Sequence, residues 1–126
     1  MKITKLSELR VWQLARKFVR AVSAILERPS FRRDPKLRDQ LGESSVSILS
    51  NISEGFGQSS DRAFANYLTI SRSSNNEAIN QLAVALWRGH ITDGELEELE
   101  QISEEMGKGI TSLIRYLRQE DRKSRG

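Results

Sequence analysis

A run of small polar residues set on an apolar helical frame constrains this chain more than any other feature. Within residues 40–58, apolar or small residues recur at three- and four-residue steps and so share one helix face: Leu41, Ser45, Ile48, Ile52 and Phe56. Serine and asparagine fill much of the space between them, and both are mediocre helix formers because their side chains compete for backbone hydrogen bonds. Neighbouring helices must therefore hold this segment, which predicts the inner helix of a bundle.

Four segments of this 126-residue chain have helical periodicity. We predict four helices and a basic tail, over about 7–27, 35–56, 61–88, 93–119 and 119–126. No strand pattern of useful length occurs. The predicted fold class is therefore all-α, a single domain over 1–126 with an up-down-up-down four-helix bundle.

Turn and cap residues set the predicted helix ends. Pro29 ends the first helix because it cannot donate a helical hydrogen bond. Asp34 and Pro35 are an N-cap followed by proline at the first helical position. Thr92 and Glu95 have the spacing of a capping box, so the fourth helix starts beside them.

The middle of the third helix is also rich in small polar residues. If it packs on the polar middle of the second helix, six side chains form a buried hydrogen-bonded layer: Ser45, Asn51, Glu54, Ser74, Asn75 and Glu77. A sharper alternative makes Asn51, Glu54 and Glu77 a catalytic or ligand site. No nucleophile or metal ligand accompanies them, so we interpret the group as a structural layer.

Composition argues against several classes of function. The chain has no cysteine, which excludes disulfides, thiolate metal sites and cysteine nucleophiles. Its one histidine, His90, follows Gly89 in a predicted turn, and a lone histidine there is typical of a surface residue rather than a metal ligand or a base. No phosphate-binding loop, dinucleotide fingerprint or nucleophile motif occurs. We predict a protein that is not an enzyme and that uses no cofactor or metal.

The chain also lacks the features of a membrane or exported protein. No run of 18 uncharged apolar residues occurs, and the N-terminal residues lack the apolar core of a signal peptide. We predict no membrane span and a cytoplasmic location.

The formal charge of +3 conceals a strong asymmetry. Residues 1–38 carry 11 Lys/Arg and 3 Asp/Glu, whereas residues 93–107 carry no Lys/Arg and 7 Asp/Glu. The basic residues of the first helix and the first loop are candidates for binding a phosphate backbone: Arg10, Arg16, Lys17, Arg20, Arg32, Arg33, Lys36 and Arg38. A solvated helix face and a mobile loop explain the same residues without a ligand.

Three segments together resemble a known family. Residues 47–55 read Ser-Ile-Leu-Ser-Asn-Ile-Ser-Glu-Gly and resemble the Ser-Ile-Pro-Ser-Asn-Ile-Ala-Glu-Gly signature of small bacterial four-helix-bundle proteins encoded in intervening sequences of 23S ribosomal RNA genes. Residues 9–15 are similar to that family's opening helix, and residues 64–82 to its third helix. The resemblance covers roughly residues 6 to 118.

The resemblance implies a non-catalytic, self-associating bundle that binds nucleic acid, with structured RNA as the leading partner and DNA as another. It also implies a cyclic homo-oligomer, because relatives and the similar accessory proteins of diversity-generating retroelements assemble as homopentameric barrels. Four apolar residues that are surplus to the predicted core favour a self-association surface: Val11, Leu14, Leu49 and Trp87.

The chain departs from the family where relatives often carry basic residues, since Gly42, Glu43 and Gln58 occupy those positions. No aromatic platform for stacking single-stranded bases is evident either. The alternative function is a protein–protein scaffold or adaptor oligomer that binds no nucleic acid.

Overall fold

The computed structural model describes residues 3–126. Its four α-helices are α1 (Arg10–Leu26), α2 (Pro35–Phe56), α3 (Asp61–Trp87) and α4 (Asp93–Arg125). Short 3₁₀ helices, Leu6–Glu8 and Pro29–Arg33, precede α1 and α2. Each helix packs on the next and α4 returns to α1, so the protein is an up-down-up-down four-helix bundle. No strand occurs within residues 3–126, and the fold is all-α.

Two helix ends differ from the prediction. The first helix begins at Arg10 rather than at residue 7, because Leu6–Glu8 forms a 3₁₀ turn and Leu9 takes an extended conformation at the N-cap. The fourth helix continues to Arg125, so the predicted basic tail is helical. At the starts of α3 and α4, local signals agree with the caps: Ser60 accepts a hydrogen bond from the backbone of α3, and Thr92 forms the capping box of α4.

The core is built from one buried stripe on each helix, and it includes two residues that we expected at a surface. Val11 and Leu14 are each only 4% exposed and pack inside the bundle. A Cβ added to Gly109 would lie 2.8 Å from Cγ1 of Val11, so α1 and α4 approach each other at a glycine. The expectation that Val11 and Leu14 form a self-association surface is wrong, because the close approach of α4 covers them.

Neutral polar side chains cross the middle of the bundle. The amide of Asn75 donates to the Ser103 carbonyl at 3.1 Å, and the Ser103 hydroxyl donates back to the Asn75 side-chain oxygen at 2.8 Å. The Ser47 and Ser74 hydroxyls are 2.8 Å apart, and the Ser71 hydroxyl donates to a carbonyl of α2. We call this set, Ser47, Ser71, Ser74, Asn75 and Ser103, the polar layer. It ties α2 to α3 and α3 to α4.

The polar layer exists, but its membership differs from the prediction. Glu54 and Glu77 are exposed and lie outside it, since burying a carboxylate without a charged partner is costly. Ser45 is buried but bonds to a carbonyl of its own helix. Asn51 adjoins the layer, because its amide donates to both the carbonyl and the hydroxyl of Ser47. Ser103 of α4, which was not among the six predicted residues, is the partner of Asn75 in this layer.

Candidate nucleic-acid interface

The loop between α1 and α2 is folded onto the bundle. It forms the 3₁₀ helix Pro29–Arg33, whose Phe31 side chain is fully buried. The Phe31 ring stacks on the His90 ring, with centroids 4.0 Å apart and planes inclined by 14°. An apolar anchor thus holds the centre of the loop, while Arg32 and Arg33 beside it are exposed.

His90 joins this loop to the turn between α3 and α4. Its Nδ1 lies 2.8 Å from the Ser30 hydroxyl, and its Nε2 lies 2.8 Å from Oδ2 of Asp34. The residue is only 8% exposed, so the prediction of a surface histidine is wrong. Its partners lie 56 and 60 residues away in the sequence, and no local pattern could have identified them.

Asp34 occupies the predicted N-cap position of α2, but its side chain binds across the bundle end. Its side chain makes no capping hydrogen bond, whereas both of its carboxylate oxygens accept from Arg88 at 3.1 Å. The hydrogen bond with His90 is the main cause that lowers the pKa of Asp34, and Arg88 acts in the same direction. Pro35 still starts the helix, at its first position.

A second ionic contact lies beside the first. The Arg28 guanidinium binds both carboxylate oxygens of Glu95 and also donates to the His90 carbonyl at 3.0 Å. Glu95 accepts in addition from the backbone N–H of Thr92 at 2.9 Å. These bonds, that of Arg28 foremost, lower the pKa of Glu95 to about 2. We call this part of the molecule, residues 28–36 and 87–95, the loop end.

Ser30, His90 and Asp34 are the residue types of a hydrolytic triad, but they serve another purpose here. One face of the imidazole is covered by Phe31, and both of its nitrogens are bonded to loop residues. A general base needs an open side toward a reacting group. The trio instead cross-links two loops that are distant in sequence.

The basic candidates on α1 divide into two groups. Arg10 forms an ion pair with Glu105 of α4 at 2.7 Å, so α4 neutralises it. Arg16, Lys17 and Arg20 line a shallow groove on the outer side of α1, and the Arg16 guanidinium lies 5.8 Å from the centroid of the Trp12 ring. This groove offers positive charge to solvent.

The basic candidates of the loop end are also mostly free of carboxylates. Counting α1 and the loop end together, six of the eight basic candidates form no ion pair within 4.0 Å among residues 3–126: Arg16, Lys17, Arg20, Arg32, Arg33 and Lys36. Arg38 lies 3.6 Å from Asp39. Arg32 and Arg38 line a groove beside α1 and α2 that also contains Glu27 and Glu43, so this side is of mixed charge.

Trp87, which we expected at a self-association surface, is exposed. It is 77% exposed at the last residue of α3, directly before Arg88. Leu49, the other residue expected at a self-association surface, is only half-buried against the core. Large exposed apolar side chains elsewhere are Val46, Ile70 and Tyr116.

Metal sites and membrane spans are two other features that the described residues could contain. No group of three or more His, Asp or Glu side chains that could hold a metal ion occurs within residues 3–126. None of the helices in this part of the chain is long and apolar enough to cross a membrane.

Comparison with known proteins yields one family and one fold. The family model described as 23S rRNA-intervening sequence protein matches residues 7–112. A crystal structure from Bacteroides thetaiotaomicron, of a protein with unknown function from the S23 ribosomal protein family, superposes with a TM-score of 0.73 at 24% identity. That match covers 82% of this chain and 97% of the other, and it shows a shared fold. No curated protein sequence matches this chain significantly.

Proposed function

Because this chain belongs to the family of 23S rRNA-intervening sequence proteins, we propose that it is a non-catalytic helical bundle that binds structured RNA through unpaired basic residues. The family's description links it to ribosomal RNA genes. We place this function in the cytoplasm, where RNA is abundant. Duplex DNA, which presents a similar phosphate backbone, is the second nucleic acid to test.

The observation that carries the proposal is the distribution of ion pairs. The acidic start of α4 neutralises Arg28 and Arg10 within the chain, through Glu95 and Glu105. Six other basic candidates keep their charge available to a ligand. Phosphates that meet these side chains would release counterions, so the affinity would fall steeply with salt.

We further propose that the chain forms a cyclic homo-oligomer, for which the resemblance implies a homopentamer. Val46 on α2 and Ile70 on α3 are each about half exposed, at 50% and 51%, and support a contact between copies. The same two residues support the second candidate function, a protein–protein scaffold. The scaffold requires no RNA affinity, which separates the two functions.

The test is a binding titration of the full chain with an RNA hairpin and with duplex DNA, over a series of salt concentrations. The Arg32→Ala/Arg33→Ala variant should weaken RNA binding about tenfold at low salt and reduce the slope of log K against log salt. A matched control, Arg62→Ala/Arg115→Ala, removes two exposed arginines that lie outside the loop end. It should change the affinity far less.

Light scattering on the same samples gives the oligomer mass. RNA binding is supported if the affinity depends on salt, is nearly unchanged in Arg62→Ala/Arg115→Ala and is weakened in Arg32→Ala/Arg33→Ala. A stable oligomer that binds neither nucleic acid at low salt would leave the scaffold as the function.

A further inference from the structure

Trp87 is the most exposed large apolar side chain within residues 3–126, at 77%. It stands apart from the other exposed apolar residues. Ile70 lies 17 residues earlier on the same helix, about 25 Å away at 1.5 Å per residue. A single exposed ring without an apolar patch around it on α3 is poorly suited to a broad apolar protein contact.

The backbone that carries this ring is held firmly. The N–H groups of Arg88, Gly89 and His90 all donate to carbonyls in the last turn of α3, at 2.9–3.0 Å. The Arg88 guanidinium is held in turn by Asp34. An aromatic side chain on a fixed backbone loses little conformational entropy on binding, so exposure here favours recognition.

Unpaired positive charge lies on the segment that Arg88, the residue after Trp87, contacts through Asp34. Asp34 is paired with Arg88 and His90, and it lies between Arg33 and Lys36 in the sequence. Arg33 and Lys36 are exposed and have no carboxylate within 4.0 Å among residues 3–126. An exposed aromatic ring at the same end of the bundle as unpaired cations matches a nucleobase that is flanked by its phosphates.

We propose that Trp87 is a stacking platform for one unpaired nucleobase next to an RNA stem, a proposal that rests on the RNA-binding function above. The stem's phosphates would contact Arg32, Arg33 and Lys36, and the first unpaired base would lie on the indole. Stacking of this kind tolerates any base, so it selects the junction between stem and single strand rather than a sequence.

The test compares two RNA probes, a blunt hairpin and the same hairpin with a four-adenosine 3′ extension. The full-length protein should bind the extended hairpin about tenfold more tightly, which is the size expected of one base stacked on an aromatic side chain. Trp87→Ala should bind both probes with the affinity of the blunt one, and Trp87→Phe should keep most of the preference. In a Trp12→Phe background, the fluorescence of Trp87 should be quenched by the extended probe alone.

Each contrary result has a distinct meaning. Salt-dependent binding of both probes with equal affinity leaves the RNA-binding function intact and overturns the stacking platform. If Trp87→Ala keeps the preference for the extended hairpin but lowers the oligomer mass, the ring contacts a second copy of the chain. This result also overturns the stacking platform. Binding of neither probe at low salt removes both proposals together.

Discussion

The polar layer and the loop end both join helices through polar side chains, but they use different chemistry. In the polar layer, neutral amides and hydroxyls are buried and bonded to one another, as between Asn75 and Ser103. At the loop end, charged groups pair in partly exposed positions, as between Arg28 and Glu95. Neutral buried bonds set the helix register at any ordinary pH, whereas charged pairs respond to pH and salt.

This difference has a physical basis in desolvation. A buried amide or hydroxyl is satisfied by one or two hydrogen bonds, and no buried side-chain polar atom within residues 3–126 lacks a partner. A carboxylate needs a counter-charge as well, and Glu95 and Asp34 find theirs where the bundle meets solvent. The two carboxylates whose pKa is lowered, Asp34 and Glu95, thus both lie at the loop end.

The largest expected effect comes from breaking the polar layer. Asn75→Ala removes both bonds with Ser103 and leaves buried groups unpaired, which should lower the free energy of unfolding by about 3 kcal/mol. The loss should be the same across the neutral pH range because neither group titrates there. Urea unfolding followed by circular dichroism measures it.

Asn76→Ala is the matched control, since Asn76 is the exposed neighbour on the same helix. It should cost less than about 0.5 kcal/mol. An equal effect of the two substitutions would contradict the structural role of the polar layer.

A smaller and pH-dependent effect is expected at the loop end. The pKa of Glu95 is lowered from 4.5 to about 2, so its contribution to stability is complete above the unfolded value and is lost as the pH falls toward the folded one. Glu95→Gln should therefore cost about 1 kcal/mol at neutral pH and should flatten the fall in stability between about pH 5 and pH 2. Unfolding midpoints at several pH values measure both.

Glu97→Gln serves as the comparison, because Glu97 is exposed on the same helix and has no ion pair among the described residues. It should leave the acid profile unchanged. Identical profiles for Glu95→Gln and the wild type would show that the contact with Arg28 adds nothing to stability.

The smallest effect is expected from an ion pair that resembles those of the loop end in charge but is more exposed to solvent. The side chains of Arg10 and Glu105 are 67% and 55% exposed. Arg10→Ala should change the free energy of unfolding by less than about 0.5 kcal/mol, because water screens such pairs. A loss near that of Glu95→Gln would mean that exposure does not separate the two kinds of pair.

The sequence predicts those parts of this structure that depend on near neighbours. Apolar periodicity indicates an all-α bundle, and Thr92 with Glu95 marks the start of α4. Helical spacing also brings Ser74 and Asn75 to the interior. The prediction that Glu54 is buried is wrong, because it lies on a different side of α2 from the buried Ile52 and Gly55.

Features made by distant residues could not be found this way. Phe31 and His90 stack across 59 positions of sequence, and Arg10 meets Glu105 across 95. Val11 is covered only because Gly109 lets α4 come close. The candidate site shows the same limit: basic residue types were visible in the sequence, but which of them are neutralised depends on contacts between helices.

The extension of α4 has a consequence for how its last residues behave. Leu117 is the last buried residue of the helix, and eight further residues continue to Arg125, which is about 12 Å at 1.5 Å per residue. This segment is too short to form a helix alone, since nucleation is the costly step, but here it grows from a nucleus that the bundle already supplies. Each added turn then gains or loses little free energy, so the coil and the helix lie close in energy. A ligand that prefers either form could select it at small energetic cost.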